Sequence, residues 1–237
     1  MLGQLVTGGF RYGDNLVVEF QSDSLWYETS LTMAAHALRN GIRTDYHTLQ
    51  HIPNEIREAL GSWGLNVEKL EAEGTFRIID TYSLAVGLGA PELPKVGRPP
   101  YQTQSIKVAD WSILIAQQLK STPLESETRR LHIDDNTSVL NRYNKEPEVA
   151  DFWRTRIAPS VKARELLLVN SLVAGVYTDP FYKQFESICD GIVDFKSEQK
   201  GEGIEHFLRV RMMRGRNFDS RWRRLRLLDN GEVTTSD

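Results

Sequence analysis

The sequence predicts an α/β fold with a mainly parallel central sheet, helices on both faces and an antiparallel β-hairpin at the C-terminal end. Three observations lead there. Short β-branched apolar runs alternate with longer stretches of helical periodicity, which is the order that builds parallel sheets through helical crossovers. The alternation keeps the same style along most of the 237 residues, so one domain over 1–237 is expected. Near the end it gives way to two alternating strands.

The elements follow in order. Leu16 to Phe20 (LVVEF) suits a buried strand. Leu31, Ala34, Ala35 and Leu38 recur at helical spacing, and Asn40-Gly41 ends that helix. Ile42 to His47 forms a second strand, and Ile56, Leu60 and Trp63 mark a helix that starts near Pro53. Phe76 to Asp80 (FRIID) is a third strand. Gly87 to Gln102 holds four of the nine prolines and reads as an irregular loop at about 87–102. Ile106, Ala109, Ile113, Ala116 and Leu119 line a long helix, and the strand RLHID ends at Asp134. A helix with Val149, Phe152, Trp153 and Ile157 leads to the strand ELLLVNSL. Phe181, Phe185 and Ile188 mark another helix, followed by the strand Gly191 to Phe195. His206 to Met213 and Arg221 to Leu228 alternate around RGRNFD as a terminal hairpin at about 206–228, with Leu208, Val210 and Met212 on one face of its first strand.

Bulk properties exclude several classes. The net charge of −3 gives no overall pull toward nucleic acid or anionic lipid, so any basic surface must be local. No apolar run of about 18 residues suits a membrane span, and the first residues lack the pattern of a secretory signal. One cysteine, Cys189, cannot form an internal disulfide; it is expected to be a buried structural thiol in a cytoplasmic protein.

Several pieces in a fixed order carry a resemblance. They are TGGFRYGDNLVV entering the first strand, the helix ending RNG, the strand RLHID, ICDGIVDF, the arginine-glycine turn MMRGRNF and the closing GEV. Together they resemble the archaeal KaiC-like ATPases of the RecA–RadA superfamily, over nearly the whole chain. The resemblance implies a RecA-like sheet and side-by-side assembly around a nucleotide.

It also implies catalytic parts whose residues differ here. A phosphate-binding loop needs glycines to wrap phosphate with backbone N–H groups, a lysine to neutralise it and Ser or Thr to hold Mg²⁺. The corresponding segment, EFQSDSLWYETSL, contains no glycine and no lysine; it carries Glu19, Asp23 and Glu28, with the bulky Leu25, Trp26 and Tyr27. Thr29 and Ser30 fall near the magnesium-ligand position and are expected to cap the helix or lie exposed. Leu49 and Gln50 stand where the family has paired glutamates, and leucine cannot serve as a base. Met212 stands for the lysine of the C-terminal hairpin, while Arg214 is kept. Asp134 matches the residue that orders Mg²⁺ through water, but an Asp at a strand end also bonds the next backbone turn, which is the expected role. A non-catalytic, pseudo-ATPase version of the fold with a degenerate phosphate loop is therefore expected, without a cofactor.

Other candidates are weaker. His47 and His51 have metal-ligand spacing only on a continuous helix, which Pro53 disfavours, so no metal is expected. His132 is expected to face the sheet or core. Ser24 and Ser83 lack a nucleophile-elbow pattern.

The strongest positive feature is arginine-rich. Arg209, Arg211, Arg214, Arg216, Arg221, Arg223, Arg224 and Arg226 fall within 18 residues, beside Phe207 and Trp222, with Asp219 the sole acid in that stretch. Such a surface suits an acidic protein partner, for which a related active ATPase or a second copy are candidates. It also suits nucleic acid, or an ordinary solvated strand face. The expected function is a regulatory or scaffolding subunit acting through protein contacts. A DNA-binding accessory protein of the recombinase-paralogue kind is the alternative. A third reading is a non-standard nucleotide site in which Trp26 and Tyr27 stack on the base and Arg214 meets a phosphate.

Overall fold

The computed structural model describes residues 5–85, 129–142 and 144–236. The proline-rich loop expected at about 87–102 and the helix expected from Ile106 to Leu119 lie outside the described residues. Among these, nine strands form one sheet in the order β3-β2-β4-β5-β1-β6-β7-β8-β9. The strands are β1 (Asn15–Phe20), β2 (Thr44–Thr48), β3 (Phe76–Asp80), β4 (Arg130–Asp134), β5 (Leu166–Val173), β6 (Gly191–Lys200), β7 (Gly203–Met213), β8 (Arg223–Leu227) and β9 (Val233–Ser236). Pairing is parallel from β3 through β6 and antiparallel from β6 to β9.

Side-chain alternation along β1 builds two cores. Leu16 and Val18 point to one face and Val17 to the other, as period-2 geometry requires. On the first face lie α1 (Trp26–Arg39), α2 (Pro53–Ser62) and α3 (Val67–Ala72). The α1 stripe of Leu31, Ala34, Ala35 and Leu38 is buried as its spacing predicts, and the two alanines allow close approach to the sheet. The helix ends at Asn40, whose side-chain amide donates to the His36 carbonyl at 2.7 Å, before Gly41 at φ +71°.

The second face is covered by α5 (Glu146–Phe152), a π-helical turn (Trp153–Ile157), α6 (Ala158–Ala163) and α7 (Asp179–Ile188); α4 is the short turn Tyr82–Ala85. Pro159 lacks an N–H and would crowd the preceding turn of a regular helix, so the backbone widens into the π turn just before it. Trp153, Phe181 and Phe185 pack there with ring centroids 5.5 Å apart pairwise from Trp153 to Phe185 and from Phe185 to Phe181. Cys189 is buried after α7, and burial raises its thiol pKa strongly.

The C-terminal strands are antiparallel as expected, and one expectation about them needs correction. β7 pairs first with β6, from Gly203↔Lys200 to Met213↔Gly191; its contact with β8 spans only His206 to Leu208. The expected hairpin, β7 with β8, is thus present as part of a four-stranded antiparallel meander from β6 to β9. Met212, however, leaves the face of Leu208 and Val210. A bulge at Ile192/Val193 lets Arg211 take the extra position, so Met212 turns toward the second core while Val210 and Met213 stay in the first. Gly191 sits where β6 starts against β1 and β7. A Cβ there would lie 2.7 Å from both Leu16 Cδ2 and Met213 Sδ.

Candidate functional site

The C-terminal ends of the parallel strands converge where ligands bind in open α/β sheets. After β1 the chain turns through Gln21 to Leu25 into α1. The Gln21 amide donates to the Phe195 carbonyl at 3.2 Å and the Ser24 amide to the Gln21 carbonyl at 2.9 Å. From β6, Ser197 N donates to Gln21 Oε1 at 2.7 Å and Ser197 Oγ to the Asp23 carbonyl at 3.1 Å. The turn is thus closed on itself and fastened to β6.

Thr29 and Ser30 are fully buried inside α1, neither capping it nor exposed as expected. The helix begins at Trp26, three residues earlier, so both hydroxyls fall within it. Thr29 Oγ1 donates to the Leu25 carbonyl at 2.6 Å, and Ser30 Oγ meets the Tyr27 carbonyl and the Tyr46 hydroxyl at 2.6 and 2.7 Å. The rings proposed to stack on a base are also engaged. Trp26 is buried between Phe20 and Phe195, with its indole N–H on the Asp135 carbonyl at 2.8 Å. Tyr27 stacks on His51 at 3.7 Å between centroids. Leu49 is buried in the second core, and Gln50 accepts from the Asn136 amide at 2.8 Å.

Asp134 does not play the turn-bonding part expected of it. That part belongs to Asn136, whose Oδ1 accepts from Ser138 N at 3.1 Å, while the Asp135 carboxylate ties down the end of β2, accepting from Leu49 N at 2.8 Å and Thr48 Oγ1 at 3.2 Å. Burial pushes the Asp135 carboxyl up to about 7 against those two bonds. Asp134 instead turns to two histidines: Oδ1 lies 2.8 Å from His47 Nδ1 and 3.2 Å from His132 Nε2. Burial opposes its charge, but His132 and His47 outweigh that and hold the carboxyl well below its usual range. His47 Nε2 reaches Thr81 Oγ1 at 2.6 Å. Burial would lower His132, yet Asp134 and Asp45 on either side lift it to about 9. Asp45 in turn takes Arg77 at 2.6 Å and Arg130 at 2.8 Å. These groups form one buried charged strip across β3, β2 and β4. His51 stands apart from it, 3.3 Å from Glu55, so the histidine partner of His47 is His132.

The arginines of β7 and β8 are largely engaged within the chain. Arg211 spans Glu19, Glu186 and Asp194 at 2.7, 2.6 and 3.0 Å. Arg209 pairs with Asp194 at 2.8 Å and lies 4.5 Å above the Trp222 ring, which Lys196 also approaches at 4.2 Å. Arg216 meets Asp14 at 2.5 Å and the Gly9 carbonyl at 2.7 Å. Arg221 and Arg223 share Asp219, and Arg224 meets Glu205 at 3.1 Å. Arg214 donates to the Cys189 and Ser187 carbonyls at 2.9 and 3.2 Å, closing the end of α7. Arg226 is exposed and makes no ion pair among the described residues. Most of these acids lie far away in sequence, in β1, β6, α7 and the N-terminal turn. Sequence spacing therefore could not reveal them.

No protein-family model matches the chain, and no curated protein matches it. Among solved structures it is similar to the KaiC-like protein PH0186 from the hyperthermophilic archaeon Pyrococcus horikoshii OT3. The TM-score is 0.71 at 18% identity, over 98% of this chain and 94% of that one. The fold is therefore that of a KaiC-like, RecA-fold protein. No helix among the described residues is long and apolar enough to cross a membrane.

Proposed function

We propose that the chain is a non-catalytic, KaiC-like regulatory or scaffolding subunit of the cytoplasm that works through protein–protein contacts. The closed β1–α1 turn carries this reading. Its Gln21 and Ser24 amides are committed to carbonyls, and Ser197 fastens it to β6. A phosphate site needs free, convergent N–H donors and a cation; this segment has neither glycine nor lysine. The ion-paired arginines favour a protein partner over nucleic acid, because six of the eight (Arg209, Arg211, Arg216, Arg221, Arg223 and Arg224) already have carboxylate partners.

Thermal unfolding with and without ATP and Mg²⁺ tests it. A ligand at a hundred times its dissociation constant adds about 2.7 kcal/mol. The expected result is an unchanged midpoint at millimolar ATP. A magnesium-dependent rise of several degrees rejects the reading and reinstates a nucleotide site of unusual design.

DNA binding is the second reading, favoured by Lys196 and Arg209 stacked over Trp222 and by the exposed Arg226. It requires an affinity that falls steeply with salt and weakens in Arg226→Glu. Absent or salt-insensitive binding removes it.

A further inference from the structure

β2 and β4 lie side by side with His47 opposite Asp134 and Asp45 opposite His132. That register brings one donor atom from each of His47, His132 and Asp134 together, all within 4.8 Å of one another. Asp134 Oδ1 is the hub, 2.8 Å from His47 Nδ1 and 3.2 Å from His132 Nε2. Ligand atoms held tetrahedrally on one ion by bonds of about 2.0–2.2 Å stand roughly 3.3–3.6 Å apart. Asp134 Oδ1 stands about half an ångström nearer than that to His47 Nδ1 and within a few tenths of it from His132 Nε2, and the three donor atoms, all within 4.8 Å of one another, would adjust around a shared ion. The two imidazoles meet edge-on, at 77° with centroids 6.1 Å apart, so their faces do not stack.

The surroundings add an independent sign. A metal-bound histidine usually fixes its ring through its other nitrogen. Here His47 Nε2 is held by Thr81 Oγ1 at 2.6 Å, and His132 Nδ1 faces the Asp45 carboxylate at 3.8 Å. Asp45 is itself anchored by Arg77 and Arg130. Both rings are therefore oriented from behind, with their remaining nitrogens aimed at Asp134.

We propose that His47 Nδ1, His132 Nε2 and Asp134 Oδ1 form a binding site for a divalent first-row transition metal ion, with zinc the first candidate. Two imidazoles and one carboxylate suit zinc and iron(II); magnesium and calcium prefer an all-oxygen shell. Three protein ligands leave one coordination position to water or to an oxygen of a partner. The ion would tie β2 to β4 and, through Thr81, to the end of β3.

The test strips the full chain with a chelator and titrates it with Co²⁺ as a visible probe, followed by Zn²⁺ competition. The expected result is one equivalent of Co²⁺ with visible d–d absorption, displaced by Zn²⁺ and untouched by millimolar Mg²⁺. His132→Ala and Asp134→Asn should each weaken binding by at least about 100-fold, Thr81→Val by about 10–100-fold, and His51→Ala not at all. X-ray absorption of the unmutated zinc form needs no variant to fold, and should show two imidazoles with oxygen completing the shell. Lack of the Co²⁺ signal overturns the proposal. So do wild-type affinity in both ligand variants, an equal loss in His51→Ala, displacement by Mg²⁺, or an imidazole count other than two.

Discussion

Trp26 at the start of α1 donates its indole N–H to the carbonyl of Asp135, just past β4, across 109 positions of sequence at 2.8 Å. The bond fixes the entry of α1 against the end of β4, and Phe20 and Phe195 close the ring in. Trp26→Phe keeps an aromatic ring but removes the donor, leaving a buried carbonyl short of its partner. That costs about 1–3 kcal/mol. A chain of this size should lose about 2–4 °C of thermal midpoint per kcal/mol. A midpoint within a degree of wild type would mean that the indole bond does not hold the helix entry.

Gly191 is the second test of local geometry. Its missing Cβ makes room for Leu16 Cδ2 and Met213 Sδ, each 2.7 Å from where that atom would stand. Both neighbours are buried, so Gly191→Ala overpacks the first core. The expected loss is about 1–3 kcal/mol, read as a lower urea midpoint with an unchanged slope. Met213→Ala in the same chain should recover part of it, because the crowding atom is gone. If the double variant is no better than the sum of the single ones, crowding at that point is not the cause.

How far these features could be read from sequence depends on how local their cause is. FRIID and RLHID become strands with the bounds their β-branched runs predict, and the α1 stripe is buried as spaced, because periodicity along one element suffices. Which strand pairs with β7 is a non-local matter, and alternation says nothing of it. The short link Lys200 to Gly203 was a usable signal: glycine follows the strand, and Gly201 adopts φ +61° in a tight hairpin connection. The site was less legible. His132 faces along the sheet as expected, but its significance depends on His47 and Asp134, which meet only through the β2–β4 register. The neutralising acids of the arginines were hidden for the same reason: Asp14 lies 202 positions from Arg216.

Glu19 should give the fold a pH dependence of definite sign. Burial pushes its carboxyl from 4.5 up to about 7; Arg211 opposes the rise and Glu186 adds to it. The groups facing it are Arg211 from β7, Glu186 and Tyr182 from α7, Cys189 just beyond that helix, and Asp194 from β6. A carboxyl with a raised folded-state pKa contributes stability that is fully present below about 4.5. That contribution is lost as pH rises through about 7. Glu19→Gln is neutral at every pH and lacks this loss. Its midpoint minus that of wild type should therefore grow more positive from pH 5 to pH 8. A difference that stays flat, or that shrinks, would show Glu19 to be ionised throughout by its pairing with Arg211.

The arginines of the C-terminal meander divide into those that hold the fold and those open to a partner, and stability measurements can separate them. Arg216 is buried, with only 8% of its side chain exposed, and joins Asp14 and the Gly9 carbonyl. Removing it leaves a buried carboxylate whose remaining donor among the described residues is Arg11 N, at 2.7 Å. Breaking a buried pair in this way costs about 3–5 kcal/mol. Arg226 is exposed, so Arg226→Ala should stay within about 0.5 kcal/mol of wild type. Equal losses in the two variants would contradict the division. The contrast also governs how partner binding is tested. A variant lacking Arg223, Arg224 and Arg226 together disturbs the contacts to Asp219 and Glu205 as well as the surface charge. Lost binding there could come from a reshaped β8. Arg226→Glu alone reverses an exposed charge without breaking an ion pair among the described residues, so a change in binding with unchanged stability would assign that charge to the partner.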